Sequence, residues 1–142
     1  MSSIMKKRYI DLKPKVKEVM KLAKEKEEYD SKGPNSFSLN GSSMEDAIRY
    51  HVNSEPSKNL DKALSNLSDD ELMLMQTLMY IGRDEVNKFD ETELDEIVLF
   101  HLKTLGFQLG KELEDRVLEI NQMSGKGPLR EYLKQGLEKI GV

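Results

Sequence analysis

Ser68-Asp-Asp-Glu-Leu-Met-Leu-Met-Gln-Thr-Leu-Met-Tyr-Ile-Gly82 is the stretch on which the fold turns. Ser68 and Glu71 have the spacing of a capping box, in which each side chain satisfies the other's backbone N–H at a helix start. Leu72, Met73, Leu74, Met75, Leu78, Met79, Tyr80 and Ile81 then follow, and wound into a helix they are apolar on most faces. A helix apolar nearly all round belongs inside a core, so this segment predicts the central helix. Gly82 is expected to end it as a left-handed residue.

Downstream, Asp90 and Glu93 open a helix whose Leu94, Ile97, Val98, His101 and Leu105 share a face, and Gly106 closes it. Leu109, Leu113, Val117 and Ile120 predict a further helix over 108–123. Gly125 to Pro128 breaks the chain. The closing helix has Leu129, Tyr132, Leu133, Gly136, Leu137 and Ile140 at i, i+3, i+4, i+7, i+8 and i+11, the cleanest period in the sequence.

Upstream, a short helix over 57–66 carries Leu60, Ala63 and Leu64 behind a break at Asn53–Pro56. Ser43 and Asp46 predict another from 43 to about Val52. Residues 30–43 are turn and breaker types almost throughout, which reads as a flexible loop. Before it lies a basic N-terminal segment, residues 1–29. Its helix is expected to begin near Pro14, a residue suited to a first turn. Val16, Val19, Met20 and Ala23 form its apolar stripe.

No segment alternates with a period of two. The reading is a single all-α domain over 1–142, an irregular bundle of about six helices with crossed packing, whose helical body spans 44–142. At 142 residues the chain is long enough to bury one core. With no Trp and only four Phe, that core must be aliphatic and Met-based.

Composition excludes several functions. There is no Cys, hence no disulfide, thiolate metal site or Cys nucleophile. The N-terminus lacks the apolar stretch of a signal peptide. No apolar run approaches the roughly 20 residues of a membrane span. These features place the protein in the cytoplasm, away from membranes.

Two segments carry a resemblance. One is Leu78-Met-Tyr-Ile-Gly-Arg-Asp84; the other is Pro128-Leu-Arg-Glu-Tyr-Leu-Lys-Gln-Gly-Leu137. Together they resemble an uncharacterised bacterial domain-of-unknown-function family. Its members carry a Leu-Met-Trp-Leu-Gly-Arg-Gly helix end and a closing Pro-Leu-x-x-Tyr-Leu-x-x-Gly-Leu helix. This chain has Tyr80 where Trp is common and Asp84 where Gly is common. The resemblance implies a helical fold and a bacterial origin, and no activity. Its motif residues Gly82, Arg83, Asp84, Tyr132 and Gly136 are the candidate interaction residues. Gly136, on an apolar stripe, costs about 1 kcal/mol of helix propensity, so a close helix crossing is expected there.

No pattern rises to a catalytic, cofactor or metal site. His101 lies on an apolar stripe and reads as a satisfied core histidine. Val98 stands where a Glu-x-x-His metal motif needs a carboxylate. The acidic run Asp84–Glu91 lacks the ligand alternation and glycine of a calcium loop. Arg83 is expected to pair with an acid of a neighbouring helix, and Met73, Met75 and Met79 to fill the core.

Charge is the remaining signal. Residues 1–26 hold nine Lys/Arg against three acids, a local charge of +6; the remainder is −10. Such asymmetry favours a charged partner. The expectation is a non-catalytic interaction or regulatory module that associates with itself as a homodimer, the basic helix clamping the acidic body of a second chain. Nucleic-acid binding through that helix is the alternative, disfavoured by its admixed Glu and by the lack of a DNA-binding motif. A site assembled from Arg83, Asp84 and Tyr132 would make the chain an enzyme and is the third reading.

Overall fold

The computed structural model describes residues 3–32, 54–126 and 128–142. Six helices are seen among them: α1 (Ile4–Lys32), α2 (Glu55–Ser65), α3 (Asp69–Asp84), α4 (Glu91–Thr104), α5 (Arg116–Ser124) and α6 (Leu129–Ile140). There is no strand among the described residues. The fold is an all-α bundle with crossed packing. The short helix expected over 43–52 and most of the loop 30–43 lie outside the described residues.

The central helix is α3. Every residue from Leu72 to Met79 is buried, and α6, α4, α5 and α1 all pack on it. Its capping box is formed: Ser68 Oγ accepts from Glu71 N at 3.1 Å and Glu71 Oε1 accepts from Ser68 N at 2.9 Å. Gly82 does not stop the helix, contrary to the sequence-based expectation. It is buried inside α3, which runs on to Asp84. Lys139 of α6 closes the end, donating to the carbonyls of Gly82 and Glu85.

The first helix also departs from expectation. It starts ten residues earlier than Pro14, which sits inside it. A mid-helix proline costs about 3 kcal/mol. Burial offsets that cost, because Met5, Tyr9 and Leu12 extend the stripe of Val16, Val19, Met20 and Ala23 on the same face. Tyr9 is fully buried, and its hydroxyl donates to the Leu74 carbonyl at 2.8 Å. Burial pushes its phenol far above the usual tyrosine range. The start of α1 is fastened to α4 as well. Ser3 Oγ accepts from Lys6 N at 3.1 Å and donates to Asp95, whose carboxylate also accepts from Met5 N at 3.0 Å. Residues 30–32 belong to α1 rather than to a loop.

Two other boundaries move. Ser54 caps α2 by accepting from Ser57 N, so Pro56 lies in the first turn rather than in a break. Residues 108–115 are irregular, and α5 begins only at Arg116, capped by Asp115. Leu109 and Leu113 still pack against the core, but from a loop. Gly110 has φ +87°, a conformation that ends the helix the apolar spacing suggested. Gly106 (φ +76°) closes α4 as expected, with Phe107 N bonded to Leu102 O and Gly106 N to Lys103 O. Asp90 stands at the N-cap of α4 without a side-chain cap bond.

Candidate functional site: a glycine crossing and its rim

The two sequence motifs meet in space. α3 and α6 cross with Gly82 against Gly136. A Cβ on Gly82 would overlap the Tyr132 carbonyl and lie 2.8 Å from Gly136 N; one on Gly136 would overlap the Leu78 carbonyl. The close crossing expected at Gly136 is present, and Gly82 is its other half. Backbone touches backbone there, which only glycine permits.

Around this crossing the remaining candidate residues sit at the surface. Arg83 is exposed. Its Nε and Nη2 donate to Asp84 at 2.7 and 3.1 Å, so its partner is the next residue in the chain rather than an acid of another helix. That bidentate bond holds Asp84 below the usual carboxylate range and is also the main reason Arg83 stays firmly charged. The guanidinium lies 4.5 Å from the centroid of the Tyr80 ring, and Lys126 Nζ lies 6.0 Å from the same centroid. Tyr132, half-buried on α6, adds to the field on Arg83.

Arg83 and Asp84 thus form a surface ion pair beside the Tyr80 ring, with Tyr132 on the helix that crosses there. Neither Tyr80 nor Tyr132 has its hydroxyl bonded to a base among the described residues. His101 is buried, with Nε2 2.9 Å from Glu85 Oε1 and its ring edge-on to Phe100. Among the described residues no group of three acids or histidines could hold a metal ion. None of the helices is long and apolar enough to cross a membrane, again among the described residues.

The surface carries a second feature, which a charge average over α1 conceals. Lys6, Ile10, Lys13, Lys17, Lys21 and Lys24 recur at helical spacing. They form one ridge about 27 Å long. Between Lys6 and Lys24 it contains no acid: Asp11, Glu18 and Glu25 fall on the adjoining flank of the helix, and the line ends at Glu28, 4.0 Å from Lys24. Ile10 is 53 % exposed. Lys6, Lys13, Lys17 and Lys21 have no ion-pair partner among the described residues. A helical-wheel count finds this ridge from the sequence. Other large apolar side chains left exposed include Leu99 and Phe100 on α4 and Val117 and Leu118 on α5.

No protein-family model, curated protein or solved structure matches this chain. The resemblance to a bacterial domain family therefore stands on the two motifs alone.

Proposed function

We propose that this chain is a non-catalytic interaction module that pairs with a second copy of itself through the lysine ridge of α1. The observation that carries the reading is the division of labour on α1. Its apolar stripe is consumed inside its own core, while four lysines of its outer ridge are unpaired among the described residues. The part of the chain beyond residue 26 carries −10. A second copy therefore offers the opposite charge that the ridge lacks at home. Cytoplasmic location and bacterial origin belong to the same reading.

One observation favours another partner. An acid-free cationic ridge also suits a phosphate backbone, and the admixed Glu that argues against nucleic acid lies on a different flank of the helix. Sedimentation of the full chain at low and high salt, with and without a mixed-sequence duplex, separates the two. Self-association is expected at low salt and is expected to weaken as salt rises. A monomer at every concentration and ionic strength would overturn the proposal. Tight, salt-dependent duplex binding by a monomer would replace it with nucleic-acid binding.

A further inference from the structure

Resting on that reading, we infer that the receptor for the lysine ridge is the acid-rimmed groove built by residues 105–119 of the second copy. The groove begins with an irregular loop that is fastened rather than loose. Gly110 N donates to Asp70 and Leu113 N to Asp69, each at 2.9 Å. Arg116 closes it, donating to Asp69 at 2.6 Å, to the Ser65 carbonyl at 2.7 Å and to the Leu67 carbonyl. A loop pinned at these points holds open a cavity of about 270 Å³. Met73, Phe107, Leu113 and Leu118 supply its apolar wall. Leu118 is 49 % exposed and its neighbour Val117 is 67 % exposed, so the apolar surface runs out onto α5.

The rim is acidic. Glu112, Glu114 and Glu119 line the opening, with Lys111 as the lone cation of the lining. None of these three carboxylates has an ion-pair partner among the described residues. An apolar wall under unpaired carboxylates matches a side chain with an aliphatic stem and a cationic head. Lysine is such a side chain: it buries its methylenes on apolar surface and keeps its ammonium at the edge. The ridge presents Lys13, Lys17 and Lys21 on successive turns, none of them ion-paired among the described residues, with Ile10 on the same line. The exposed face of α4 is the alternative receptor that the test below distinguishes: Leu99 and Phe100 are apolar there, with Glu93 and Glu96 on the same helix. If each chain lends its ridge to the other's groove, the contact is made twice across one two-fold axis.

Charge exchange tests this in the full chain. Lys17, Lys21, Glu112 and Glu114 are all exposed, so K17E/K21E and E112K/E114K are expected to fold, which melting curves check. Sedimentation velocity at low salt is expected to show each double variant associating at least roughly ten-fold more weakly than the natural chain. The quadruple exchange is expected to recover most of that loss, because the signs are complementary again. If the natural chain associates and E112K/E114K associates equally well, the groove is not the receptor. Disruption of the pair by Phe100→Glu would then move the interface to α4. In both cases self-association itself survives. A natural chain that stays monomeric removes the groove and the pairing together.

Discussion

The central helix is held at its two ends in different ways. Near its C-terminal end α3 meets α6 through glycine on glycine, with no side chain between the backbones at the point of crossing. At its N-terminal end it is held by charge: Asp69 and Asp70 grip the backbone of the 105–115 loop, and Arg116 ties Asp69 to the end of α2. The first attachment rests on shape at the glycine contact, with Lys139 of α6 adding a charged donor to the Gly82 and Glu85 carbonyls. The second depends on ionised groups at a partly wet surface. One helix can therefore be loosened at one end while the other end stays fixed.

The largest expected effect is at the crossing. Gly82→Ala gains helix propensity, yet its Cβ lands on the Tyr132 carbonyl, which cannot swing away as a side-chain tip would. A loss of about 3–5 kcal/mol is expected, read as a fall of roughly 10–15 °C in Tm. A variant as stable as the natural chain would show that α6 is free to shift and that the crossing is not tight.

Next comes Arg116→Ala. It leaves the Ser65 and Leu67 carbonyls without this donor and Asp69 without its guanidinium. About 1–2 kcal/mol of stability is expected to go with the two carbonyl bonds. Amide exchange should quicken in 105–115 while the α3–α6 crossing stays protected. Equal loosening at both places would break the contrast between the two ends.

Acid sharpens the comparison. The backbone N–H of Leu113 and the side chain of Arg116 hold Asp69 below the usual carboxylate range, and the Ser3 hydroxyl does the same for Asp95. Stability from such groups is complete above the ordinary aspartate pKa of about 3.9. It is lost as pH falls through the depressed values beneath. Urea melts between pH 7 and pH 2, at constant ionic strength, should therefore show the Arg116→Ala deficit shrinking below about pH 3.9 as Asp69 protonates. The Gly82→Ala deficit should stay constant. Parallel curves for the two variants would mean that the charged end is not titrating.

The smallest effect is expected inside α3. Thr77 is fully buried, and its hydroxyl has no hydrogen-bond partner among the described residues. Thr77→Val keeps the branched shape and removes the unsatisfied oxygen, so a gain of about 1 kcal/mol is expected. A loss would reveal a partner for the hydroxyl, such as a bound water.

Much of the fold is legible in the residues, and the departures share a cause. α3, α4 and α6 announce themselves because apolar period, caps and breaks agree. The helix expected over 108–123 does not form as one piece, because Leu109, Leu113 and Val117 have helical spacing by coincidence. Gly106 and Gly110, four apart, are the contrary signal, since both take left-handed backbone. Pro14 misleads in the opposite direction: it marks a legal helix start, but Met5, Tyr9 and Leu12 carry the stripe through it. Gly82 is a stop by local rule, whereas α6, far along the chain, decides its role through Gly136 and the Tyr132 carbonyl. Arg83, Asp84 and Tyr132 stand out in the sequence only through the motif resemblance. Their shared place at the α3–α6 crossing is encoded by no local pattern. The lysine ridge is visible in principle, but summing charge over residues 1–26 hides its segregation from the acids.

The attachments of α1 bear on the order in which the chain becomes structured during synthesis. Tyr9 waits for Leu74, 65 positions later, and Ser3 for Asp95, 92 positions later. Ribosomes deliver residues at about 5–20 per second, so α1 spends seconds outside the tunnel with its apolar stripe bare. Its lysine ridge is present throughout that interval, a charged face beside the bare stripe. The same charges that we assign to pairing in the finished protein would oppose premature sticking of this segment as it waits for its partners.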